Sequence, residues 1–380
     1  MVVFQSCRHR DRKFTSGSSK CHQEFTAQRH SLSQRYCLNR PQTRTFSTSA
    51  MSDFSLGLAI VLLLVLGAEF VNGWTDAPNA IATVVSTRCL SPFQAVCMAS
   101  MLNLAGVLSG TAVAETIGKD IIDPSAVDLL AVGGAMVGII LWSTLAAVWG
   151  IPTSESHALV AGLTGAGFAS AGPQVLVWEG WGKVLLGLLL SSVLGFLAGG
   201  LAMTLVYGLF RRTQPARIRG TFRVLQIFSS AFMAFSHGSN DGQKFRGTFT
   251  LALVLSGSLS SFMIPRWVII LCGSVMALGT MTGGWRIMKT MGMKISRLQT
   301  HQGFAAEMAA ASTIELATRM GIPLSTTHTI STAIMGVCAV RRSSAVHWNV
   351  AAQLLNAWIL TFPACGLISW CVVKLFRFLS

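Results

Sequence analysis

The sequence predicts an all-α, multi-spanning membrane protein built from two inverted-topology repeats, with broken helices and re-entrant helical hairpins. Three observations lead there. Hydrophobic residues make up 52% of the chain and charged residues 11%, against about 25% charged in a soluble globular protein. From Phe54 onward, apolar runs follow one another with short breaks, many near the length of about 20 residues that a bilayer core requires. Two unlike polar motifs then recur in the same order in each half, the mark of a chain built from internal repeats.

Residues 1–51 form a basic, polar tail. Its first fifty residues hold nine Lys and Arg against Asp11 and Glu24, with no apolar run. A secretory signal peptide is therefore excluded. The bias resembles an organellar transit peptide; the alternative is that translation begins at Met51, where Met-Ser-Asp-Phe opens directly onto the first apolar run. The first repeat is read over 52–210, a basic cytoplasmic linker over 211–220 and the second repeat over 221–380. Clear spans are expected at 54–71, 92–114, 126–149, 183–209, 221–236, 263–283 and 348–376. The shorter stretches 156–171, 245–259, 303–321 and 328–340, interrupted by Gly, Ser and Thr, read as buried or re-entrant helices whose polar groups need protein neighbours.

The formal charge of +15 does not imply nucleic-acid binding. Seven of those charges lie in the tail, and most of the rest fall in short loops, as Arg211, Arg212, Arg217, Arg219 and Arg223 do. Basic loops between apolar spans orient a membrane protein with that side in the cytoplasm. The nine Cys include no CxxC pair and read as packing side chains rather than metal ligands.

The first recurring motif is Asn72-Gly-Trp-Thr-Asp-Ala-Pro-Asn79, matched by Ser236-His-Gly-Ser-Asn-Asp-Gly-Gln-Lys244, with Asp241 165 residues after Asp76. The second is Gly150-Ile-Pro-Thr-Ser-Glu-Ser-His157, matched by Gly321-Ile-Pro-Leu-Ser-Thr-Thr-His328, with His328 171 residues after His157. An odd number of crossings in each repeat would make the pair inverted. An Asp at the centre of a spanning helix costs about 3 kcal/mol, so Asp76 and Asp241 need compensation. With Asn79 and Asn240 they assemble hard oxygen ligands near an expected unwound turn, suited to a small cation or a proton; the structural alternative is an Asp that caps a broken helix. In the second motif, Pro is placed where a helix begins and hydroxyl residues follow. Helix-terminal N–H groups with the hydroxyls of Thr153, Ser154, Ser156, Ser325, Thr326 and Thr327 can hold a tetrahedral oxyanion, although N-capping alone would use the same residues. Lys244 either pairs with Asp241 or faces the anion. His157 and His328 either exchange protons or sit as satisfied buried rings. Glu69, Glu155, Glu307 and Glu315 are functional candidates by their place in or beside apolar segments.

At these motifs the sequence resembles the inorganic phosphate transporter (PiT) family, whose members carry a Gly-x-Asn-Asp-x-x-Asn type signature in each repeat and a Ser/Thr-rich element ending in His further on. The resemblance runs from about Phe54 to the C-terminus and, lacking a long hydrophilic insertion, is closest to the short microbial form. It implies an inverted-repeat symporter carrying phosphate inward with sodium or a proton as coupling ion, without a cofactor, often as a homodimer in the plasma (inner) membrane; a genuine transit segment in 1–50 would instead imply an organellar membrane. Carried onto this chain, the signature aspartates are Asp76 and Asp241. Thr75 and Lys244 each stand where the fullest signature has Asn. A sulfate permease of the same fold, a non-transporting receptor or anchor, and a channel remain alternatives. Hydrolase elbows, zinc-protease motifs and a phosphate-binding P-loop are absent from the sequence, so no enzyme is expected.

Overall fold

The computed structural model describes residues 48–119 and 121–379, so the tail expected over 1–51 lies outside the described residues apart from its last four. The described chain is helical: α1 (Thr48–Ser86), α2 (Pro92–Val107), α3 (Ala112–Lys119), α4 (Leu129–Trp149), α5 (Glu155–Ala171), α6 (Trp178–Phe210), α7 (Pro215–Asp241), α8 (Lys244–Leu255), α9 (Arg266–Thr282), α10 (Trp285–Lys289, continued by a wider turn over Thr290–Lys294), α11 (Thr300–Arg319), α12 (Thr326–Arg341) and α13 (Trp348–Leu379).

Four helical stretches are long and apolar enough to cross a bilayer: Leu56–Ser86, Leu129–Trp149, Trp178–Phe210 and Trp348–Leu379. Their outer faces are apolar and bare. On α6, Leu189, Leu197, Leu201 and Leu209 are exposed, as are Leu355, Ile359 and Leu367 on α13. The interior instead holds Glu69, Asp76, Asp241, Lys244, Arg246 and Glu307. Apolar outside and polar inside inverts the pattern of a water-soluble chain and fits hydrocarbon as the solvent.

Three expected spans differ. Residues 92–114 do not form one straight helix: α2 and α3 diverge by 76° across a short break, and α9 and α10 diverge by 61° in the same manner. The stretch 221–236 lies within α7, which falls short of a spanning helix in apolarity. Arg217, Arg219, Arg223, Gln226, Ser229 and Ser230 interrupt it, and its inner residues are enclosed by protein rather than lipid. The basic connection is also shorter than 211–220, because Pro215 at the first helical turn starts α7, a position where its missing N–H costs nothing. The short stretches are helical over most of their length and buried to different degrees: α8 and α12 are the most enclosed, whereas Leu316 and Met320 towards the end of α11 are exposed. All residues of α8 from Lys244 to Leu253, and of α12 from Thr326 to Cys338, are enclosed.

The two halves pack reciprocally. Helix α5 lies on α13 and α12 on α6, while α4 contacts both α5 and α13 as α11 contacts both α12 and α6. Close approach is set by glycine. A Cβ on Gly238 of α7 would stand 2.1 Å from the carbonyl oxygen of Asn103 in α2, and one on Gly73 of α1 would stand 2.2 Å from that of Met276 in α9. These two glycines sit at equivalent places in the aspartate motifs, so the backbone carrying each Asp is pressed against a helix that no larger residue would admit.

Candidate functional site

Both hydroxyl motifs follow one local plan. Gly150 (φ 70°) and Gly321 (φ 71°) take the left-handed backbone just beyond α4 and α11, a conformation that only Gly adopts without strain. Pro152 and Pro323 then prevent the helices from continuing. They therefore end the preceding helices rather than begin the next ones, contrary to the sequence expectation, because Ser154 and Ser325 hold the caps. The Ser154 hydroxyl accepts from the His157 amide at 3.4 Å and that of Ser325 from the His328 amide at 3.2 Å. The two capping hydroxyls meet, Ser325 donating to Ser154 at 2.8 Å. The N-termini of α5 and α12 thus converge at one buried point, bringing two positive dipole ends together.

The aspartate motifs reach the same point. Thr326 donates to Asp241 Oδ2 at 2.9 Å and Thr327 to Asp76 Oδ1 at 3.3 Å. Asn79 Nδ2 donates to the hydroxyls of Thr326 (3.3 Å) and Thr327 (3.0 Å). Asn240 Nδ2 donates to Asp241 Oδ1 at 3.0 Å and to the Leu324 carbonyl at 2.9 Å. Lys244 pairs with Asp241 and also donates to Ser156 Oγ at 2.7 Å and the Leu324 carbonyl at 3.2 Å. Its three N–H bonds are thereby engaged, with Asp241 as its ion-pair partner.

Other expected residues stand aside from this knot. The Glu155 oxygens accept from Thr75 (2.9 Å) and Ser143 (2.8 Å), so Glu155 anchors α5 to α1 and α4. Thr153 is buried at the edge of a cavity of about 400 Å³, also lined by Trp142, Thr290, Lys294 and Asn356. His328 stacks on Trp358 at 3.6 Å, and His157 packs against His328 at 4.5 Å and edge-on to Phe362. Both rings sit among aromatic groups, and His157 Nδ1 and His328 Nε2 have no hydrogen-bond partner among the described residues. Glu69 lies in α1 apart from the hydroxyls. The expected unwound turn exists only in the second half. Helix α7 stops at Asp241 and α8 starts at Lys244, whereas α1 continues through Asp76 with Pro78 inside it, since a membrane helix packed on neighbours tolerates one missing backbone hydrogen bond.

Three further residues stand beside or brace the knot. His237 places Nε2 3.3 Å from Asp241 Oδ2, while its Nδ1 meets Asn103 Oδ1 at 3.1 Å. It stands four residues before Asp241, one turn along the same helix, a spacing that was legible. Single ligand atoms of Asp76, His237 and Asp241 lie within 4.8 Å of one another, close enough to share one cation. Arg246 donates to the carbonyls of Val107 (2.6 Å) and Gly110, and Gln243 Oε1 accepts from the amides of Val113 (2.9 Å) and Ala114 (3.4 Å). The break between α2 and α3 is therefore clamped at both ends by the break between α7 and α8. Nothing local in the sequence announces this, because the partners are over 125 residues apart.

Removing the α12 cap tests the local plan. Ser325→Ala is expected to lower stability by about 1 kcal/mol, read as a fall in the unfolding midpoint in detergent. Ser331→Ala, on the same helix and with a hydroxyl that has no hydrogen-bond partner, should leave the midpoint unchanged or raise it.

This fold, with its enclosed centre of carboxylates, hydroxyls and one paired lysine, defines a multi-pass membrane protein built to handle small ions. The chain belongs to the phosphate transporter family, whose model matches residues 72–369, a family of transporters and not of enzymes. A probable low-affinity inorganic phosphate transporter of Rhizobium meliloti is 46% identical over 83% of this chain and 96% of its own. One of Bacillus subtilis is 38% identical over 82% and 95%. A solved structure described as the sodium-dependent phosphate transporter matches with a TM-score of 0.80 at 24% identity, over 86% of this chain and 100% of that one; at that identity the likeness speaks for the fold.

Proposed function

We propose that this protein imports inorganic phosphate across the plasma membrane by symport with a cation, sodium or a proton. The observation that carries the reading is the meeting of both aspartate motifs with the hydroxyls of α12 at one buried point, where Thr326 binds Asp241 and Thr327 binds Asp76. Of the two carboxylates, Asp241 pairs directly with Lys244. Adding a phosphate anion there deepens the negative charge, and burying unbalanced charge is prohibitive. A cation that enters with the anion removes the imbalance, and the group formed by Asp76, His237 and Asp241 supplies its ligands.

The donors for the anion are the hydroxyls of Ser154, Ser156, Ser325, Thr326 and Thr327, backed by the two converging helix N-termini. Phosphate keeps a hydroxyl at neutral pH and sulfate does not. Asp76 is the natural acceptor for that hydroxyl, because Asp241 and Glu155 already accept on both of their oxygens. A site built around such an acceptor rejects an anion that leaves it unpaired. We further propose that 52–210 and 221–380 are inverted repeats, with the bent helix pairs as re-entrant hairpins. The reciprocal packing of α5 on α13 and α12 on α6 supports this, since alternating access then follows from exchanging the roles of two like halves.

The test is uptake of radiolabelled phosphate into proteoliposomes, with a sodium gradient and a pH gradient imposed separately. Uptake is expected to follow one gradient and to resist equimolar sulfate. No uptake under either gradient, or competition by sulfate at equal concentration, would overturn the reading.

A further inference from the structure

Glu69 is fully enclosed in α1, and neither of its carboxylate oxygens has a hydrogen-bond partner. Asn72, one turn further along the same face, is also fully enclosed, and both polar atoms of its side-chain amide are unpartnered. It lies beside Glu69 without completing a hydrogen bond to it. Four polar atoms are thus unsatisfied at one place on a spanning helix, two turns before Asp76. A bare carboxylate in that position is among the most costly arrangements a membrane protein can hold.

The ionisable groups whose charge reaches Glu69 are Asp241 at the end of α7, Lys244 and Arg246 on α8, and the thiol of Cys272 on α9. Each of the cations is committed elsewhere. Lys244 is engaged by Asp241, Ser156 and the Leu324 carbonyl, and Arg246 holds the carbonyls that end α2. Among the described residues, no fixed cation pairs with Glu69. A sodium ion would need five or six oxygen ligands, and the carboxylate with one amide oxygen offers three. A proton needs one.

We infer that Glu69 is a proton-carrying group of the transporter, separate from the ion and anion site formed by Asp76 and Asp241. The inference rests on the symport reading above and names proton as the ion that this carboxyl handles. Taking up one proton on Oε turns the carboxylate into a neutral carboxyl, which can donate its O–H to Asn72 Oδ1 and accept from Asn72 Nδ2. All four unsatisfied atoms are then served at once. Releasing the proton restores a negative charge in the field of Asp241, so loading of the neighbouring site and occupancy of Glu69 are electrostatically linked. Binding a cation at Asp241 favours proton release, and its departure favours proton uptake.

Infrared difference spectroscopy on the full-length protein in lipid tests this without relying on transport. At neutral pH the wild type should show a protonated-carboxyl stretch that is missing in Glu69→Gln and retained, shifted, in Glu69→Asp. In proteoliposomes, the ratio of pH-gradient-driven uptake to phosphate–phosphate exchange should fall at least tenfold in Glu69→Gln and recover in part in Glu69→Asp. An infrared spectrum of Glu69→Gln identical to that of the wild type overturns the inference, as does a Glu69→Gln variant that follows a pH gradient like the wild type. A wild type that moves no phosphate would sink the symport reading while leaving the infrared band as an independent result.

Discussion

Asp241→Asn is expected to reduce phosphate uptake roughly 100-fold or more, equivalent to about 2.7 kcal/mol of lost stabilisation. The carboxylate is the node of the buried knot. It receives Lys244, Asn240 and Thr326, and lies 3.3 Å from His237 Nε2. Neutralising it also leaves Lys244 enclosed without its counter-charge, a change that costs about 3–5 kcal/mol and that could unfold the protein. The double variant Asp241→Asn with Lys244→Asn separates the two effects, since Asn already stands at position 79, the place equivalent to 244 in the first half. The double variant should regain most of the unfolding midpoint in detergent while uptake stays abolished. Recovery of uptake in the double variant would mean that Asp241 serves structure alone.

Gly238→Ala should damage both folding and uptake through a single added methyl. The added Cβ would meet the Asn103 carbonyl oxygen at 2.1 Å, its Cα at 2.6 Å and its carbonyl carbon at 2.7 Å. All three are backbone atoms, so relief requires α7 and α2 to separate. Overpacking of this kind costs about 1–3 kcal/mol. It also draws His237 away from Asn103 and shifts Asp241, three residues on, so uptake should fall roughly tenfold or more. Gly220→Ala on the same helix is the control. Nothing lies within 4 Å of its added Cβ, and replacing a helical Gly by Ala should raise stability by about 0.5–1 kcal/mol. Equal behaviour of the two variants in thermal unfolding and uptake would refute the close-packing account.

Much of the site was legible because its cost is written in residue types. Asp76, Asn79, Asn240, Asp241 and the hydroxyls from Ser154 to Thr327 stood out as polar groups in apolar surroundings, and the structure brings most of them to one place. Thr153 and Glu155 matched the same pattern yet fall outside the knot. Membership in a motif fixes a residue's position along the helix, but the neighbouring helices decide which way its environment opens. The histidines show the same limit from the other side. His157 and His328 ended conspicuous motifs and pack among Trp358 and Phe362, whereas the unremarked His237 touches the central carboxylate. Pro78 and the prolines of the hydroxyl motifs carried ambiguous signals too. A proline states only that one backbone donor is missing; whether a helix ends there depends on what else is packed against it.

The sequence by itself determined the solvent, the family and the chemistry of the centre. Apolar length selects the bilayer, and charged residues survive within it only in compensated sites, so composition and spacing sufficed for these conclusions. Only the tertiary structure decided which halves of the motifs meet. It made Lys244 the partner of Asp241, set Arg246 and Gln243 to clamp the break between α2 and α3, and left Glu69 with Asn72 unsatisfied beside the centre. These outcomes depend on contacts between residues far apart in the chain, where helix crossing and glycine-set distance, rather than local preference, fix which polar groups can reach each other.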